Sequence, residues 1–137
     1  MERKGIVVAG SVLVDKINEI SAFPECGELT QITSIQKAVG GCVPNVAIDL
    51  KKISPETPVF ALGKIGDDEE GEFVKSVLLD EKVDVTGLVA TNKDKTSFTD
   101  VMSVKGGQRT FFTYAGASAD FGVDDIYAAF LLKKLTD

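Results

Sequence analysis

Residues 40–62, GGCVPNVAIDLKKISPETPVFAL, decide the fold of this 137-residue chain. Gly40-Gly41 breaks whatever pattern precedes it. Pro44 suits the first turn of a helix, where its missing N–H would have no partner. Val43, Val46, Ala47 and Leu50 recur at the i, i+3, i+4, i+7 spacing of one buried helical face, so a helix is predicted from Val43 to Lys52. Ser54-Pro55 ends it, and Pro58–Leu62 reads as a short apolar strand. A helix running into a short apolar strand is the second part of a βαβ unit, and the flanks must supply the rest.

They do. Ile6–Ala9, bounded by Gly5 and Gly10, is a continuous apolar run and predicts a parallel strand covered on both faces. Residues 12–20 and 29–37 alternate apolar with polar around Phe23-Pro24-Glu25-Cys26-Gly27, which predicts two antiparallel strands and a turn. Downstream, Asp67 and Glu70 have the spacing of a capping box, opening a helix to about Glu81 with Phe73, Val74, Val77 and Leu78 inward. Val83–Val89 is a third strand. Ser97–Val104 and Arg109–Tyr114 flank Gly106-Gly107 as a hairpin. A last helix over Val123–Leu135 would turn Ile126, Phe130 and Leu131 inward. The order predicts an α/β fold with a parallel sheet and flanking helices. The two β-hairpin regions do not fit that layer and predict a separate small sheet projecting from its edge. There is no internal repeat and no low-complexity linker, so a single domain is expected.

Composition narrows the chemistry. The chain is 44% hydrophobic and 26% charged with a net charge of -6, a globular balance whose acidic surface argues against nucleic acid and anionic membranes as partners. Histidine is absent, which excludes histidine-based nucleophile systems and histidine-ligated zinc. Two cysteines, Cys26 and Cys42, are too few for a disulfide framework and point to reduced thiols and a cytoplasmic location. Met1–Lys4 followed by Gly5–Val14 imitates a leader, but its glycines and the Asp15-Lys16 closure favour a buried strand. No run reaches the roughly 18 apolar residues of a spanning helix.

Four residues are candidates for binding a substrate. Asp15 follows the first core strand, where α/β sheets take their ligands, and a carboxylate there can accept from two neighbouring hydroxyls. The plainer reading is a solvated acid or a partner of Lys16. Gly40 and Gly41 let backbone approach a ligand, and the Asn45 amide can donate and accept; the plainer reading is a turn and a helix start. Gly63–Gly71 lacks the Gly-x-x-x-x-Gly-Lys-Ser/Thr pattern, and its acids would repel phosphate. Asp67 and Asp68 as metal ligands are the weaker alternative to helix capping, and no metal site is expected.

Taken together, the motifs Gly10-Ser-Val-Leu-Val-Asp15, Gly40-Gly41-Cys-Val-Pro-Asn45-Val-Ala47, Gly63-Lys-Ile-Gly66-Asp-Asp68-Glu-Glu-Gly71, Thr96 and Gly107-Gln-Arg109-Thr110 give a resemblance. The chain resembles the N-terminal half of the ribokinase-like, phosphofructokinase B-type carbohydrate kinases. The resemblance implies a ribokinase-like, truncated fold: a Rossmann-like body and a β-sheet lid over the sugar, dimerising through the lid in some members. It implies Asp15, Gly40, Gly41 and Asn45 as sugar-hydroxyl contacts, with a small-molecule sugar or nucleoside as partner. It implies direct in-line transfer of a phosphoryl group from ATP and Mg2+ in the complete enzyme. Cys42 stands where ribokinases proper commonly carry lysine, which counts against ribose. The family's Gly-Ala-Gly-Asp motif has no match: the nearest string, Ala115-Gly116-Ala117-Ser118, lacks the acid. The catalytic aspartate and the nucleotide site are therefore expected outside these residues, with neither ATP nor Mg2+ held strongly by this chain. The alternative is a non-catalytic sugar-binding or lid-mediated dimerisation module.

Overall fold

The computed structural model describes residues 4–136, so Met1–Arg3, where the leader-like run begins, lie outside it. Two sheets share the chain. Strands β1 (Ile6–Ala9), β4 (Val59–Gly66) and β5 (Asp84–Thr91) form a parallel three-stranded sheet in the order β1-β4-β5. Strands β2 (Leu13–Ile20), β3 (Ile32–Gly40), β6 (Ser97–Val104) and β7 (Arg109–Tyr114) form a four-stranded sheet in the order β3-β2-β6-β7. The two hairpin regions thus join, as expected, into a sheet of their own. Its central pair, β2 with β6, is parallel, and the outer pairs are antiparallel.

Helices α1 (Cys42–Ile53) and α2 (Glu69–Asp80) connect successive parallel strands. The core lies between them and the parallel sheet, with Val43, Ala47, Val59, Ala61, Ile65, Val74 and Leu78 fully enclosed. Val59, Ala61 and Ile65 alternate along β4 and face these helices. Lys64 points the opposite way and pairs with Asp125 of α3 (Val123–Thr136), which places α3 on the other face.

Three expectations are corrected. The cap of α2 is Asp68, whose carboxylate accepts from the Gly71 N–H at 2.9 Å, and not an Asp67–Glu70 box. Glu70 is drawn away to Lys16 at 3.0 Å. Val46, Phe130 and Leu131, expected inward, are exposed, because the periodicity marks a face that wants cover and the described residues do not provide it. Strand β1, expected to be covered on both faces, is not: Ile6 and Val7 are 40% and 47% exposed. Ile6 N–H bonds to Pro58 O, just before β4, and the N–H of Gly10, just after β1, to Leu62 O, so by the alternation of a parallel ladder those of Val7 and Ala9 face away from β4.

Candidate functional site

The chain leaves the parallel sheet for the second sheet at Gly10–Val12 and returns at Gly40–Cys42, and these two crossings are sewn together. Leu13 pairs with Gly40 and Asp15 with Ala38 in the β2–β3 ladder. At Gly40 a Cβ would crowd two side-chain ends, standing 2.6 Å from Asp15 Oδ2 and 2.7 Å from Leu13 Cδ1. The Asp15 carboxylate thus rests against bare backbone. It has no hydrogen-bond or ion-pair partner among the described residues, and partial burial pushes its pKa above the usual carboxylate value. The simple pairing with Lys16 is overturned, since Lys16 points to the opposite face of β2, over the Phe98 ring at 4.4 Å and against Glu70.

Gly41 caps α1 at φ 88°, where a Cβ would meet the Ser11 carbonyl oxygen at 2.6 Å. Ser11 then takes up the helix's first donors. Cys42 N–H donates to Ser11 Oγ at 3.1 Å and Val43 N–H to the Ser11 carbonyl at 3.1 Å; Pro44 has no N–H, and Asn45 N–H returns to Gly41 O at 3.4 Å. Of the first α1 positions, Cys42, Val43 and Asn45 thus have their N–H groups bonded and Pro44 has none. Cys42 Sγ in turn accepts from Ser11 N–H at 3.2 Å. Asn45 lies in the first turn of α1, exposed, and its amide is hydrogen-bonded to none of Asp15, Gly40 or Gly41. The structure thus brings Asp15, Gly40 and Gly41 together and leaves Asn45 beside them without a bond.

The register of the second sheet places Thr99 and Thr113 in the same row and on the same face as Asp15. Ile17, Val101 and Phe111 form a row further along that face. A carboxylate and hydroxyls followed by apolar side chains match the two textures of a sugar: hydroxyl edges and C–H faces. Among the described residues no cluster of three or more His, Cys, Asp or Glu side chains could hold a metal ion.

Behind this surface lies a second set of contacts at the crossings into β6 and out of β7. Asp68 Oδ2 accepts from Thr96 N–H at 2.8 Å and Oδ1 from Thr96 Oγ1 at 2.6 Å, while Thr96 Oγ1 accepts from Gly66 N–H at 2.8 Å. Burial pushes the Asp68 carboxyl up, but the bonds from Thr96 and Gly71 outweigh it and hold the group below its usual value. Lys64 bridges Asp120 at 2.8 Å and Asp125 at 3.3 Å. Sequence reading missed Ser11 and Ser118, and nothing in their spacing signals these roles because their partners are distant in the chain.

The family model for pfkB carbohydrate kinases matches residues 3–133. The chain belongs to the pfkB family of carbohydrate kinases. Fructokinase-1 of Zea mays is 30% identical to this pfkB chain over 118 residues, covering 86% of it and 35% of the maize protein. Among solved structures, the ribokinase of Arabidopsis thaliana, determined with ribose and ATP, superposes with TM-score 0.73 at 26% identity over 85% of this chain and 37% of that one. Ribokinase from Cryptococcus neoformans, determined with ADP, gives TM-score 0.69 at 27% identity over 84% and 36%. The expected ribokinase-like α/β fold is thus borne out. These pfkB residues span about a third of the length of the curated relatives they match. No helix among the described residues is long and apolar enough to cross a membrane.

Proposed function

We propose that this chain is the substrate-binding portion of an ATP-dependent kinase that transfers the γ-phosphoryl group to a hydroxyl of a sugar or nucleoside. Asp15 accepts hydrogen bonds from substrate hydroxyls, Gly40 and Gly41 admit the ligand against backbone, and Asn45 reaches it from the first turn of α1. The four-stranded sheet is the lid. The carrying observation is the Asp15 carboxylate, partly buried, without a partner among the described residues and resting against the bare backbone of Gly40. Desolvation without a partner is a cost, and incoming hydroxyls would offset it.

On this reading ATP and Mg2+ are held by other residues of the complete enzyme. In support, the Cys42, Val43 and Asn45 N–H groups at the start of α1 are bonded to Ser11 and Gly41, Asp68 accepts from the Gly71 N–H at the start of α2, and no acidic metal set is present among the described residues. The proposed reading assigns the nucleotide, the metal and the catalytic base to polypeptide outside these 137 residues. A cytoplasmic setting agrees with two unpaired thiols.

A coupled ADP-release screen over pentoses, hexoses and nucleosides tests this, run on the complete protein and on the isolated chain. Turnover is expected from the first only, and turnover by the isolated chain would refute its incompleteness. In the complete enzyme, Asp15→Ala should weaken sugar binding by about 1.5–3 kcal/mol and leave ATP binding unchanged. Equal losses for both ligands in calorimetry would remove Asp15 from the sugar site. A second role rests on a separate observation. On the lid face opposite Asp15, Ile35 and Phe112 are 73% and 59% exposed, which favours a homodimer through the lid. Sedimentation of the complete protein, with and without Ile35→Lys, tests it.

A further inference from the structure

The second crossing pair is held by a side chain that the proposed sugar contacts do not include. Val12 is fully enclosed and lies one residue before β2 begins, outside the ladders. Its N–H and C=O both need partners. Ser118, 106 residues away in a short 3-10 turn at Gly116–Asp120, supplies both: Val12 N–H donates to Ser118 Oγ at 3.0 Å, and the Ser118 hydroxyl donates to Val12 O at 2.6 Å. A hydroxyl has one proton, so the 3.5 Å approach to Lys64 O is not the bond it makes. Ser118 is itself fixed: its N–H donates to Ser97 Oγ at 3.0 Å, the Ser97 hydroxyl donates to Ala115 O, and the neighbouring Ala117 N–H donates to Lys95 O at 2.8 Å.

The residue before Val12 is Ser11, which is tied to α1 on the other side. The start of β2 is therefore clamped from two directions, by α1 through Ser11 and by the 3-10 turn through Val12. Leu13, packed on Gly40, and Asp15 follow directly.

We propose that Ser118 is a positioning residue of the sugar site, setting the height and register at which β2 enters the lid so that Asp15 lies over Gly40–Gly41. The inference rests on the reading of Asp15 as a sugar contact. It adds a residue that touches no substrate and that ties two segments 106 residues apart to one site. Without the hydroxyl, two enclosed backbone groups of Val12 lose their partners, and the strand shifts to find others.

The test uses Ser118→Ala and Ser118→Thr in the complete protein, with sugar and ATP affinities measured separately beside melting temperature. Ser118→Ala should weaken sugar binding about tenfold, the effect of roughly 1.4 kcal/mol, and leave ATP binding within about twofold. Ser118→Thr, which keeps the hydroxyl, should restore sugar affinity. Where the alanine variant does not fold, Ser118→Cys, which keeps shape and a weak donor, is read in the same way and should fall between serine and alanine. A lowered melting temperature with sugar affinity unchanged, or equal losses for sugar and ATP, would overturn the proposal and leave Ser118 a structural residue. Asp15→Ala run in parallel separates the two levels. If that variant binds sugar normally, the site reading fails; if it loses sugar while Ser118→Ala does not, only the positioning role fails.

Discussion

Gly40→Ala is the sharpest perturbation of the proposed site, because it adds one methyl group and removes nothing. The new Cβ would stand 2.6 Å from Asp15 Oδ2 and 2.7 Å from Leu13 Cδ1, about 0.8 Å inside ordinary contact at 3.4 Å. Backbone movement is resisted, since Gly40 is paired with Leu13 in the ladder. The side chains must give way instead. Asp15 gives way readily because nothing holds its carboxylate, so the stability cost should sit at the low end of overpacking, about 1 kcal/mol. The consequence for binding is larger. A carboxylate turned out of its seat forfeits a charge-assisted bond of about 1.5–3 kcal/mol, a loss of roughly 12- to 150-fold in sugar affinity. The assay is titration calorimetry with the preferred sugar, beside a thermal melt. Since the effect acts through Asp15, Gly40→Ala should add little to Asp15→Ala. A folded Gly40→Ala variant that binds sugar within twofold of the parent would show that the Asp15–Gly40 contact does not shape the site.

Asp15→Asn should hold or raise the melting temperature of the unliganded protein while sugar affinity drops. The sign follows from burial. A folded-state pKa above the unfolded value means that the ionised carboxylate costs stability above that pKa, and the cost fades as pH falls to the unfolded value. The advantage of Asn over Asp in melts should therefore shrink from neutral pH down through the carboxylate range, and a constant gap would count against the burial argument. Asp68→Ala should cost about 2–4 kcal/mol in urea unfolding, from a lost helix cap and from Thr96 N–H and Oγ1, both enclosed, left unpaired. Its depressed pKa has the opposite sign to that of Asp15: the stability it contributes is present above the unfolded pKa and is lost as pH falls through the folded one. Asp68→Asn should therefore flatten the acid limb of the stability curve, and an unchanged limb would count against it.

Most of the architecture could be read from local patterns. The run from Gly40 to Leu62 announces its helix and strand by period and by glycine and proline punctuation; α1 lies within one residue of expectation at each end, while β4 starts one residue later and runs four residues further, to Gly66. What failed has a common cause. The α2 cap lies one residue beyond the one the spacing predicts, at Asp68, whose carboxylate is also held by Thr96, 28 residues away. Phe130 and Leu131 follow a helical period correctly, but a period states which face is apolar and not whether a neighbour arrives to cover it. The candidate site divides in the same way. Asp15, Gly40 and Gly41 stand at strand and helix ends that any α/β pattern points to. Ser11 and Ser118 serve backbone groups 31 and 106 residues away, a partnership that no local signal carries.

The bare side of β1 bears on how the chain behaves in solution. Natural sheet borders are guarded by charge, and β5 at the other end of its sheet has Asp84, Thr86 and Thr91. β1 is Ile-Val-Val-Ala with no such guard, and half of its main-chain groups have nothing to bond to among the described residues. Produced by itself, the polypeptide is a template for its own stacking: strand would dock on strand between molecules and yield filaments or precipitate that thicken with concentration. A lysine at position 7 would keep such a sample clear.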